Sequence, residues 1–213
     1  MNKKDILISI IVGFFTGAIW SWVFSRLGTF DSALAQFGLA PGLVWGFVVL
    51  TPIVFVMGLY LGLWLSRFRH FFISFSRFVM VGFLNAGIDI GVFNFLMFVA
   101  NIEVGAAVSA FKGVSFVAAV INSYFWNKFW VFEAGATSKT GSEFSKFIVV
   151  TAIGLFINVG VVSGILYVYA PQFGFSQQAW NNVAAVAGAA MGLVWNFVGY
   201  RLIVFKKEAT VIA

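Results

Sequence analysis

Six apolar runs, each about as long as a bilayer core is thick, leave this chain few ways to fold. They cover residues 6–24, 43–65, 78–100, 105–127, 147–169 and 183–205. A helix needs about 20 apolar residues to cross some 30 Å of hydrocarbon, and each run meets that length. Only 9% of the residues are charged and 62% are hydrophobic, where a soluble domain carries about 25% charge. The expectation is an all-α integral membrane protein with six transmembrane helices. An N-terminal pair (residues 1–71) precedes a four-helix domain (residues 72–208). The first run follows Lys3 and Lys4 and is followed by Ala33-Leu34-Ala35, a pattern reminiscent of a cleaved secretory signal. It exceeds the ~7–15 residues of a signal core, and Arg26 and Asp31 intervene, so it is expected to be an uncleaved span.

The basic residues sit where these runs end. A pI near 9.8 would suggest nucleic acid in a soluble protein; here it is read as an orientation signal, with no nucleic-acid partner. With the N-terminus in the cytoplasm, Lys3, Lys4, Arg67, Arg69, Arg77, Lys128, Lys139, Lys146, Arg201, Lys206 and Lys207 fall inside. Only Arg26 and Lys112 fall outside. Both termini are therefore expected to be cytoplasmic. The Arg67–His70 loop, with Phe68, Phe71 and Phe72, suits a surface of anionic membrane lipids. His70 is read as an interfacial residue rather than a metal ligand. There are no cysteines, which excludes disulfide and thiolate chemistry.

The last four runs look like one hairpin written twice. The stretch Asn122-Ser-Tyr-Phe-Trp-Asn127-Lys128-Phe-Trp-Val-Phe132 is echoed by Trp195-Asn196-Phe-Val-Gly-Tyr200-Arg201-Leu-Ile-Val-Phe205. Upstream, Arg77-Phe78 is echoed by Lys146-Phe147, and Asp89-Ile90-Gly91 by Asn158-Val159-Gly160. Each unit begins inside, so the repeat is expected to be parallel, with a pseudo-twofold along the membrane normal. Gly13-x-x-x-Gly17, Gly58-x-x-x-Gly62 and Gly188-x-x-x-Gly192 let helices approach closely. They suit contacts within one chain or a homo-oligomer.

Polar residues are few enough to weigh singly. Asp89 lies twelve residues after Arg77, roughly 18 Å along a helix and near the bilayer centre. A carboxylate there is costly and is a functional candidate, or else a clamp between helices. Asn85 is one turn earlier on the same face. Lys112 either snorkels to the outer interface, the simpler disposition, or turns inward to neutralise Asp89 or a phosphate. Arg77, Asn127, Lys128, Lys146 and Arg201 gather near one depth at the inner face, with Ser123 and Asn196 a turn deeper. Fixed cations beside amides are what a phosphate in a low-dielectric interface requires, although basic helix ends also occur where nothing binds. There is no phosphate-cradling Gly-rich loop, no paired carboxylates and no His cluster. Neither catalysis nor a cofactor or metal is expected.

Arg77-Phe-Val-Met-Val-Gly82 with Asp89, then Asn127-Lys128-Phe-Trp-Val-Phe132, Lys146-Phe147 and Asn196-Phe-Val-Gly-Tyr-Arg201-Leu-Ile-Val-Phe205, resembles the GtrA-like family over residues 74–206. Ser123 departs from the asparagine common there, and Tyr200 stands where the first copy has Asn127. The resemblance implies a membrane domain that moves a polyprenyl-phosphate-linked sugar, such as undecaprenyl-phosphate glucose, to the outer leaflet of the cytoplasmic membrane. That sugar would serve cell-surface polysaccharide synthesis, beside a membrane-associated glycosyltransferase. It implies a phosphate site at Arg77, Asn127, Lys128, Lys146, Asn196 and Arg201. Asn85, Asp89, Lys112, Ser123 and Asn158 would line a polar path for the sugar. Two other readings stand beside it: a non-transporting anchor for the glycosyltransferase, and a proton-coupled small-molecule exporter using Asp89.

Overall fold

A segment surrounded by hydrocarbon has to close its own backbone hydrogen bonds, and these apolar runs do so as helices. The computed structural model describes residues 3–27, 35–38, 40, 42–135, 140–169, 171, 172, 174 and 176–206. Asp31, Ala33, Leu34, Pro41, Lys139, Lys207 and Glu208, which entered the sequence argument, lie outside them. Helix α1 is Lys3–Leu27. A 3-10 turn, Leu43–Gly46, leads into α2, Phe47–Leu65. Then come α3 (Phe71–Ala100), α4 (Ala106–Trp126), α5 (Thr140–Val168) and α6 (Gln177–Gly199). The described residues include no strand, and six of their helical segments are long and apolar enough to cross a membrane. The protein is an all-α, multi-pass membrane protein. Large apolar side chains such as Leu7, Val49, Phe83, Phe116, Leu155 and Val186 stand exposed on all six helices. In water such surfaces would drive association; in lipid they are the solvated face.

Helix α3 starts seven residues before the run that predicted it. Nothing between Phe71 and Arg77 breaks a helix, and the Arg77 charge is matched inside the fold, so the helix runs through it. At 30 residues it is roughly 45 Å long, longer than the hydrocarbon core. It stops at Asn101, whose φ of 54° is left-handed. The amides of Asn101 and Ile102 turn back to the carbonyls of Phe98 (3.3 Å) and Met97 (3.2 Å), the pairing that closes a Schellman cap.

The chain divides into two compact units, Met1–Glu133 and Ala134–Ala213. In the first, α1 packs on α2 where side chains are smallest. A Cβ on Gly13 would lie 2.5 Å from the Pro52 Cα, and one on Gly17 would overlap the Phe47 carbonyl oxygen. Ser21, fully buried, donates to the Val44 carbonyl at 2.8 Å. In the second unit α5 and α6 meet in the same manner. A Cβ on Gly188 would lie 2.7 Å from the Asn158 carbonyl oxygen, and one on Gly192 3.1 Å from that of Gly154.

Helices α4 and α6 end alike. Each widens into a single π-turn, Asn127–Val131 and Tyr200–Val204. The amide of Phe132 reaches the Asn127 carbonyl (3.0 Å) and that of Phe205 the Tyr200 carbonyl (2.8 Å). The extra residue in the turn swings the closing phenylalanine onto the partner helix. Phe132 meets Phe78, and Phe205 meets Phe147, each pair at 6.4 Å and 50°.

The close α1–α2 contact rests on backbone atoms that have no side chain to move aside. Gly17→Val should lower stability by about 1–3 kcal/mol through overpacking. Gly82→Ala, where a Cβ meets nothing within 4 Å, should be neutral or mildly stabilising. Thermal unfolding of the two variants in detergent checks the contrast.

Candidate functional site

The α3–α4 seam carries three polar stations, because positions about one or two turns apart on each helix share a face and meet the other helix. Arg77, Asn85 and Asp89 on α3 meet Trp130, Asn122 and the Lys112–Ser115 turn on α4 and its π-turn. The stations are separated by roughly 12 Å and 6 Å along α3.

At the first station Arg77 is buried, only 6% exposed. Its Nη1 donates to the Trp130 carbonyl (3.0 Å) and to Glu133 Oε1 (2.6 Å), and its Nη2 to Asp5 Oδ2 (2.8 Å). Asp5 comes from α1, and its second oxygen accepts the Trp130 indole N–H at 3.2 Å. One carboxylate of the N-terminal helix therefore ties α1 to both α3 and the π-turn. Asp5 is largely buried, whereas the Glu133 side chain is 59% exposed.

At the second station Asn122 donates to Asn85 Oδ1 at 2.6 Å and accepts from the Trp126 indole at 3.1 Å. At the third, Lys112 donates to Asp89 Oδ2 at 2.5 Å and Ser115 to Asp89 Oδ1 at 2.7 Å. Lys112 thus takes the inward disposition rather than the snorkelling one. Inside hydrocarbon an ammonium gains more from a carboxylate within reach than from stretching toward water. It keeps half its side chain exposed.

Asn127 and Lys128 are both buried on the π-turn. Asn127 donates to the Ser123 carbonyl (2.8 Å) and hydroxyl (3.2 Å), while its own Oδ1 is buried without a hydrogen-bond partner. Lys128 Nζ lies 3.3 Å from the Tyr124 hydroxyl and 5.6 Å from that ring.

The second unit has neutral groups where the first has the Asp89–Lys112 pair. In the sequence echo, Lys112 pairs with Ala185 and Asp89 with Asn158. The Asn158 side chain lies against Gly188 and Gly192, and the Asn196 amide lies against Gly154. The Oδ1 of Asn196, like that of Asn127, is buried and unpartnered. Tyr200 stacks on Phe147 at 4.4 Å and shares a 2.7 Å hydrogen bond with Thr151. Lys146 and Arg201, each next to a member of this aromatic pair, are exposed.

The sequence profile of the GtrA/DPMS transmembrane domain matches residues 77–205, from Arg77 through the end of the second π-turn. The chain belongs to this family. Its members are membrane domains linked to the handling of polyprenyl-phosphate-bound sugars. No curated protein and no solved structure matches the chain significantly. Helices α1 and α2 lie outside the matched region, yet Asp5 of α1 completes the first station of the family domain.

Sequence reasoning missed Asp5, Glu133, Ser115 and Asn122 as members of these stations. Ser115 and Asn122 carried a usable signal, since both share the face of α4 that holds Lys112. Asp5 and Glu133 are loop-flanking acids by sequence, and only the folded contact reveals them.

Burial decides what each Arg77 partner is worth. Removing one partner of a buried pair costs about 3–5 kcal/mol, and an exposed pair about 0–1 kcal/mol. Asp5→Ala should therefore destabilise the protein by several times as much as Glu133→Ala. Unfolding titrations of both variants measure the ratio, and equal losses would contradict the assignment.

Proposed function

We propose that this protein is a non-catalytic translocase that carries a polyprenyl-phosphate-linked sugar, of the undecaprenyl-phosphate glucose kind, across the cytoplasmic membrane. On this reading both termini are cytoplasmic and the sugar goes to cell-surface polysaccharide synthesis or glycosylation. A membrane-associated glycosyltransferase supplies it. The observation that carries the reading is the polar seam inside a domain of the GtrA/DPMS family. A sugar crossing hydrocarbon alone loses the partners of its hydroxyls, at about 1–3 kcal/mol each. Asn85, Asn122, Ser115 and the Asp89–Lys112 pair offer donors and acceptors in place of water, with Ser123 extending the set; Asn158 is the corresponding polar group within the second unit. The isoprenoid tail stays in lipid and needs no path.

Each hairpin, taken by itself, has a basic end suited to a phosphate. Arg77 already faces two carboxylates, so its role is to hold the inner end of the seam in place. Lys146 and Arg201 are exposed and next to polar or aromatic neighbours, which suits first contact with an anionic headgroup. Within the second unit Asn196 is less accessible and would act after them; within the first, Lys128 and Asn127 are buried on the π-turn and would meet a headgroup there. The unpartnered amide oxygens of Asn127 and Asn196 are acceptors suited to a sugar hydroxyl.

Leaflet transfer of a fluorescent polyprenyl-phosphate sugar, in vesicles containing only this protein, tests the reading. Wild type should accelerate transfer. Lys146→Ala with Arg201→Ala should slow it at least about tenfold, because one charge-assisted hydrogen bond is worth about 1.5–3 kcal/mol. No transfer by folded wild type would reject translocation and leave the anchor for a glycosyltransferase as the better account.

A further inference from the structure

Helices α1 and α3 enclose a groove that none of the three polar stations uses. It measures about 360 Å³ and is lined by Ala18, Trp22, Ile88, Gly91, Val92 and Phe95, with almost no polar surface. Ile19 packs on the bare Gly91 backbone at the groove wall, where a Cβ would sit 2.8 Å from the Ile19 methyl; Ala18 lines it with a single carbon. Ile88, Gly91, Val92 and Phe95 follow helical spacing on one face of α3, while Asp89 is turned toward α4.

One turn beyond Trp22 and Phe95 the groove ends in a cation. The Arg26 guanidinium carbon lies 3.9 Å from the centre of the Phe98 ring, just past the Trp22–Phe95 contact at 6.4 Å. Arg26 is exposed and has no carboxylate partner among the described residues. From Ile88 to Phe98 the groove and its cationic end span roughly 15 Å of helix, half of a ~30 Å hydrocarbon core. That is the depth of one leaflet.

We infer that this groove binds one acyl chain of an anionic phospholipid, with the lipid phosphate on Arg26. An apolar slot one leaflet deep, closed by a single cation at headgroup level, matches a phospholipid chain and its phosphodiester. A polyprenyl chain would overrun it. The site belongs to the junction between the N-terminal helix pair and the family domain, and it gives α1 a lipid-facing role besides the Asp5 contact. It does not depend on whether the protein moves a lipid-linked sugar.

Trp22 reports occupancy directly. The full chain is reconstituted in phosphatidylcholine vesicles containing a small fraction of chain-brominated phosphatidylglycerol or, in parallel, chain-brominated phosphatidylcholine. Subtracting the signal of Trp22→Phe isolates the indole in the groove. At equal mole fraction, brominated phosphatidylglycerol should occupy the groove about fivefold more than brominated phosphatidylcholine, the preference expected of one arginine near a membrane surface. Arg26→Gln should abolish the preference without shifting the thermal melt. Ala18→Leu should reduce quenching by both lipids. Equal quenching by the two lipids, or a preference that survives Arg26→Gln, would overturn the inference. Relief of quenching by unbrominated polyprenyl phosphate at a lower mole fraction than by phosphatidylglycerol would also overturn it, and would reassign the groove to the carrier lipid.

Discussion

A charge placed inside a bilayer has to find its counter-charge within the protein, and much of the first unit follows from that. Helix α3 carries a cation near one end and a carboxylate about 18 Å further on. The cation is met by Asp5 and Glu133, the carboxylate by Lys112 and Ser115. Meeting Arg77 requires α1 to lie against α3 with its first turn at the right height. Meeting Asp89 requires α4 to present Lys112 and Ser115 to the same helix. The close glycine contacts of α1 with α2 then fix how that layer is completed. Charge pairing and small-residue packing act on the same helices, because lipid offers no hydrophobic drive to bring them together.

The two hairpins share a terminal device and differ in the chemistry behind it. Both close with a π-turn and an aromatic contact of the same geometry. Behind the turn, the first has Asp89, Lys112 and a buried Lys128; the second has Asn158, Ala185 and an exposed Arg201. A π-turn leaves the backbone locally re-registered and is frequently found at functional sites. In this chain an unpartnered asparagine oxygen lies near the basic end of each hairpin, Asn127 on the first π-turn and Asn196 in the α-helix four residues before the second.

Much of this was visible in the residues. Apolar run lengths gave all six helices, and errors fell at their ends, where polar residues such as Arg77 and Thr140 continue a helix that hydropathy alone would stop. The echo of Asn122–Phe132 in Trp195–Phe205 marked the place where both π-turns form, though nothing in periodicity distinguishes a π-turn from an α-turn. Asp89 stood out because a lone intramembrane acid is costly. Its partner did not, since by sequence Lys112 had the simpler route of snorkelling to the interface. The Asp5–Arg77 contact joins residues 72 positions apart, and no local pattern announces such a pair.

The most direct test of the account is a double-mutant cycle on Asp89 and Lys112, read as unfolding stability in lipid nanodiscs. Asp89→Asn and Lys112→Met each leave a charge without its partner, so each should destabilise the protein. The double variant, with neither charge, should recover much of the loss, giving a coupling of about 0.5–3 kcal/mol. Strictly additive losses would mean that the two side chains do not act as a pair. That result would contradict an α3–α4 seam organised by charge.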